Sequence, residues 1–100
     1  MHLTGILADH IWRASQVERP PSIDEIALRC VLDLIGAAIA GAEAKGPTAT
    51  RQSAPLIFGE GTAPIWMSAK TAAPVAALIC NAAAACALDL DDGHRAARGH

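Results

Sequence analysis

Apolar residues recur with helical period in three stretches of this chain, and turn-forming residues separate them. In the first, Leu3, Ile6, Leu7, His10, Ile11 and Ala14 fall on one face at i, i+3, i+4 spacing. Arg19-Pro20-Pro21 closes it, because proline disfavours helix in the residue before it. Ser22-Ile23-Asp24-Glu25 then has the form of a capping box: the Ser22 hydroxyl accepts from the Glu25 amide, and Glu25 reaches back to the Ser22 amide. From there Ile23, Ile26, Ala27, Cys30, Val31, Leu34, Ile35, Ala38, Ile39 and Ala42 hold the period over five turns. Leu28 and Leu32 add a second apolar face, so this helix is expected to be covered on more than one side. Gly36 and Gly41 admit a close neighbour, and Gly46-Pro47 is read as the stop.

A short helix is expected over 48–57, limited by Pro55, followed by a turn-rich link at Gly59-Glu60-Gly61-Thr62. That link lacks the lysine and the strand-then-helix frame of a phosphate loop. Ile65-Trp66-Met67 reads as extended or irregular, and Ser68-Ala69-Lys70 as loop, with Lys70 a solvated charge. Thr71 is the expected cap of the last helix, with Pro74 tolerated in its first turn. This helix carries small side chains on every face, which predicts burial among other helices with backbones close together. Its one polar residue, Asn81, serves either a structural hydrogen-bond network or a cavity.

Composition supports an all-α fold, a bundle in a single domain over residues 1–100. The chain is 52% hydrophobic, yet 23 residues are alanine and only 3% are aromatic. Alanine is the best helix former and loses no side-chain entropy on burial. Trp12 and Trp66 are read as large core anchors. The net charge is −2, and no basic stripe exists, which argues against nucleic acid as a partner. Cys30, Cys80 and Cys86 lack metal or redox spacing and read as small buried hydrophobes in a reducing compartment. The uncharged run 71–88 is the only membrane candidate, but it is half alanine, broken by Pro74 and Asn81, and short of a membrane span, and the start lacks the features of a signal peptide. A cytoplasmic protein without membrane attachment is the expectation. Arg29 and Asp33 stand four apart and read as an ordinary surface ion pair.

The chemistry concentrates at the end of the last helix, in Asp89-Leu90-Asp91-Asp92-Gly93-His94 and His100. If the helix continued through this segment, Asn81, Asp89 and Asp92 would lie near one face and Asp91 would point elsewhere. Carboxyls so close disfavour one another's ionisation, and imidazoles titrate near neutral pH. Such a set suits proton abstraction next to a carbonyl or carboxylate. A calcium loop does not fit, because its fifth, sixth and twelfth positions would be Gly93, His94 and His100. A transition-metal site is chemically open, but the spacing is not diagnostic. A plain charged helix end is the bland alternative, although acids there oppose the helix dipole.

The string from Asn81 through Ala-Leu88-Asp89-Leu90-Asp91-Asp92-Gly93-His94-Arg95 to Gly99-His100 resembles the acidic signature of the MmgE/PrpD family. That family includes 2-methylcitrate dehydratase, cis-aconitate decarboxylase and iminodisuccinate epimerase. Leu32-Asp33-Leu34-Ile35-Gly36 is similar to the family's Leu-Asp-x-x-Gly helix, and the opening helix, the proline break and the turn-rich middle follow in the family's order. The resemblance therefore spans the whole chain. It implies the first helices of an all-helical domain, and cofactor-independent lyase or isomerase chemistry on small polycarboxylates, with no metal. It implies catalytic roles for Asp89, Asp92 and His100, and substrate-binding or orienting roles for Asp91 and His94. It also implies a homodimer in the full-length form. Departures are Cys86 for a frequent histidine, Ala82 for glycine, Leu90 for an aromatic and Gly93 for a frequent threonine. Arg95 and Arg98 are the only nearby basic residues, whereas members of the family draw basic site residues from further along a longer chain. The 100 residues are thus expected to be a truncated portion that is not a competent catalyst alone. The alternative is a non-catalytic helical fragment, a self-associating interaction module.

Overall fold

The computed structural model describes residues 2–93 and residue 96. Four helices and one small hairpin follow in order: α1 (Leu3–Ser15), α2 (Pro21–Gly41), α3 (Lys45–Phe58), β1 (Ala63–Pro64), β2 (Thr71–Ala72) and α4 (Pro74–Cys86). The all-α class holds. The hairpin, antiparallel with Ala63 opposite Ala72 and Pro64 opposite Thr71, is an addition to it. No helix among the described residues is long and apolar enough to cross a membrane.

Several local boundaries differ from the sequence reading, each for a physical reason. The Ser22–Glu25 capping box does not form. Pro21 takes the first helical position, where its fixed φ suits the helix and its missing N–H is no loss. Ser22 is therefore already helical and cannot act as the cap. An Arg19–Asp24 ion pair of 2.9 Å spans the start instead. Gly46-Pro47 opens α3 rather than closing α2. The first amides of a helix have no intrahelical partner, so a proline there sacrifices no bond. The actual break is the tight turn in which the Ala44 amide donates to the Gly41 carbonyl at 3.0 Å. Pro55 sits inside α3, which runs on to Phe58 and stops at Gly59, whose φ of 94° favours glycine. Thr71 lies in β2, and the residue capping α4 is Ala73, with Pro74 in the first turn as expected.

The core surrounds α4. Ala54, Ile65, Ala72, Ala76, Ala77 and Cys80 pack together between α3, the hairpin and α4. Ala38, Ala84 and Ala85 form a second cluster where α2 meets α4, with Trp66 against it. The backbones come very close here: a Cβ added at Gly41 would collide with the Ala84 carbonyl oxygen and stand 3.0 Å from the Ala87 Cβ. Trp66 thus packs against the core as expected, but α4 is buried on one face only: Val75 and Leu78 are exposed on the other, because no element covers it there.

Other expectations of burial fail. Trp12 is 69% exposed, and α1 buries no residue. Because α1 does not cover α2, only Ala37, Ala38 and Gly41 of α2 are buried, while Ile23, Ile26, Leu28, Val31 and Leu32 face outward. Of the cysteines, Cys80 is buried and Cys30 and Cys86 are exposed.

Candidate active site

Helix α4 ends at Cys86, and the acidic residues follow in a turn, not in a continued helix. The Asp89 amide donates to the Cys86 carbonyl at 3.2 Å, and Asp89 takes a left-handed φ of 56°. Aspartate tolerates this conformation better than most residues, because its short polar side chain can bond locally. The reversal breaks the helical spacing on which the shared face of Asn81, Asp89 and Asp92 depended. Asn81 looks elsewhere: its Oδ1 accepts from the Trp66 amide at 2.8 Å, and its Nδ2 donates to the Pro64 carbonyl at 3.2 Å. Of the two roles open to Asn81, the structural one is realised, tying the hairpin to α4.

Beyond Asp89 the chain lies along α2. Leu90 borders a groove of about 620 Å³ together with Arg29, Leu32, Asp33, Gly36 and Ala37. Asp91 and Asp92 line a neighbouring groove of about 310 Å³ with Cys30, Val31, Asp33 and Leu34. Asp33 is common to both, so two motifs more than fifty residues apart in sequence meet at one carboxylate. The expected Arg29–Asp33 pair does not form. Arg29 instead donates to Glu25 at 2.7 Å, the more favourable order with the acid N-terminal to the base.

Asp91 is half-buried, whereas Asp89 and Asp92 are exposed. The Cys86 thiol is hydrogen-bonded to the Asp91 carboxylate, and this pushes the thiol pKa above its ordinary value. Desolvation and the negative charges of Asp91 and Asp89 push it the same way, because each disfavours a thiolate. The thiolate, the nucleophilic form, is thus disfavoured at Cys86, and the thiol form is the one that donates to Asp91. His94 and His100 lie outside the described residues. Among the described residues, no group of three or more His, Cys, Asp or Glu side chains is arranged to hold a metal ion.

Sequence reasoning missed two participants, Asp33 and Cys86. Asp33 carried a signal, its place in the Leu-Asp-x-x-Gly helix, but its proximity to Asp91 and Asp92 is a long-range product of the fold. Cys86 was legible only as a departure from histidine.

A family model described as the MmgE/PrpD N-terminal domain matches residues 5–100. No curated protein and no solved structure matches the chain. With the match running over nearly the whole sequence, through the upstream helix and the acidic turn that meet at Asp33, the chain belongs to the MmgE/PrpD family, in its N-terminal domain.

Proposed function

We propose that this chain forms one wall of a cofactor-independent lyase or isomerase site for small polycarboxylates, in a cytoplasmic enzyme that works as a homodimer. The observation that supports it most is the match to the family's N-terminal domain over residues 5–100, which includes the acidic turn laid against α2. Asp89, Asp92 and His100 are the proposed catalytic groups, and Asp91 and His94 orient substrate and segment. One of these groups takes the proton from the carbon next to a substrate carboxylate. In a dehydration, the electron pair left behind forms the carbon–carbon double bond as the β-hydroxyl leaves as water, protonated by a second group. Asp91, held by the Cys86 thiol, keeps its neighbours Asp89 and Asp92 in place.

The test is turnover of methylcitrate-like and aconitate-like acids by the product of the whole reading frame. Asp89→Asn and His100→Ala are each expected to lower kcat by about 10²-fold or more, the usual contribution of a positioned acid or base. Unchanged turnover in both variants would sink the proposal.

A second reading, a self-associating helical module without catalysis, draws on the exposed apolar residues of α1 and α2, among them Ile6, Leu7, Ile11, Ile23 and Ile26. It requires a concentration-dependent rise in sedimentation coefficient. A well-folded monomer at all concentrations would remove it.

A further inference from the structure

A smaller pocket lies between α3 and the hairpin tip, beside the half of α4 where Asn81 holds Trp66 and the Cys80 thiol meets the Thr50 carbonyl. Its volume is about 160 Å³, and it is lined by Thr48, Arg51, Gln52, Ser68 and Lys70. Such a volume is well below the roughly 300–1,000 Å³ of pockets that take drug-sized ligands, and suits a single small group. The pocket shares no lining residue with the two grooves at the acidic turn. It is not part of the site described above.

Arg51 is the unusual member. Its side chain is only 17% exposed, yet its partners are poor: a 3.3 Å contact to the Thr48 hydroxyl and a 3.7 Å contact to the Glu43 carboxylate, which is itself 89% exposed. A guanidinium carries five N–H donors in a fixed fork, and a largely buried one is ordinarily well paired. None of its nitrogens is both buried and unpaired, so the N–H groups not engaged with Thr48 or Glu43 open to the pocket or to solvent. Lys70 adds a second positive charge to the same lining and makes no ion pair among the described residues. Gln52 adds an amide, and Thr48, whose oxygen accepts from Arg51, keeps its hydroxyl proton for another acceptor. The Ser68 hydroxyl is committed: it donates to the Ile65 carbonyl at 2.9 Å and accepts from the Lys70 amide at 3.2 Å, which fixes the tip.

From this convergence of a largely buried arginine with Lys70, Gln52 and Thr48 around a void sized for one group, we infer a binding site for a phosphate group. One planar carboxylate saturates the arginine fork by itself. A phosphate also offers oxygens out of that plane, toward Lys70, Gln52 and Thr48. The ligand is either inorganic phosphate or the phosphate of a small monoester. When bound it bridges α3 to the hairpin and displaces the loose Glu43 contact.

The test uses the ¹⁵N-labelled full chain at pH 7 and constant ionic strength, titrated separately with inorganic phosphate, glycerol 3-phosphate and acetate. Saturable amide shifts confined to residues 48–52 and 68–70 are expected with one or both phosphates, and none with acetate. Response to inorganic phosphate alone identifies the free ion; a tighter response to the monoester identifies the ester. Arg51→Gln is expected to abolish saturation and Lys70→Gln to weaken it about tenfold, as the loss of one charge-assisted bond would. Glu43→Gln is expected to tighten it. Lys70 is exposed, so its variant keeps the fold and carries the test even if Arg51→Gln unfolds. The site is refuted by non-saturating shifts spread over the surface, by acetate acting as phosphate does, or by Lys70→Gln binding as the parent does.

Discussion

The closeness of α2 and α4 can be tested with one methyl group placed at two positions of the same helix. Gly41→Ala puts a Cβ against the backbone carbonyl of Ala84 and 3.0 Å from the Ala87 Cβ. Neither obstacle can rotate away, so the helices must part. Overpacking of this kind costs about 1–3 kcal/mol, and backbone obstacles place it in the upper half of that range. Replacing a helical glycine with alanine recovers roughly 0.5–1 kcal/mol. The net expectation for Gly41→Ala is a loss of about 1–2.5 kcal/mol, or roughly 4–20 °C in Tm for a domain of this size. At Gly36, five residues earlier, an added Cβ meets nothing within 4 Å. Gly36→Ala should therefore gain about 0.5–1 kcal/mol and raise Tm by a few degrees. Both substitutions restrict the unfolded chain equally, so the difference between them isolates the native contact. Urea unfolding followed by circular dichroism at 222 nm measures both. If Gly41→Ala proved as stable as Gly36→Ala, the close crossing of α2 and α4 would be refuted.

Asn81→Ala removes the bonds to the Trp66 amide and the Pro64 carbonyl. A loss of about 1–2 kcal/mol is expected, with a red shift of Trp66 emission as the hairpin tip loosens. Asn81→Asp keeps the acceptor but loses the donor, and should fall between the two. At Cys86, the hydrogen bond to Asp91 is the largest cause raising the thiol pKa, ahead of desolvation and the negative charges of Asp91 and Asp89. Asp91→Asn keeps an acceptor and removes the charge, so the thiol pKa should fall and alkylation of Cys86 at pH 8 should become faster. An unchanged rate would mean that Asp91 does not control this thiol.

What the sequence made legible depends on how local each signal is. The long period running from Ile23 to Ala42 and the alanine run of α4 suffice for an all-helical class, since each element carries its own pattern. Boundaries are harder where two local signals compete. Pro21 and Ser22 both start helices, and proline at the first position prevails. Gly46-Pro47 can close one helix or open the next, and only the 42–44 turn decides between them. The hairpin has strands of two residues, too short for any periodicity, and it is held partly by Asn81 from fifteen residues away. In the candidate site, the acids were evident as chemistry. Their arrangement was not, because it depends on the left-handed turn at Asp89 and on a helix fifty residues upstream.

The alanine-lined contact of α4 with α2 also limits how this chain can change by mutation. A side chain larger than methyl forces the backbones apart. Glycine, the one smaller choice, loses both the methyl contact and about 1 kcal/mol of helix propensity. Ala38, Ala84 and Ala85 therefore stand at a local optimum with little tolerance in either direction. The acidic turn begins immediately after this contact, so its placement is inherited from the three alanines. Variation that retunes the turn is expected to accumulate in residues 88–93, and not in the helices beneath them.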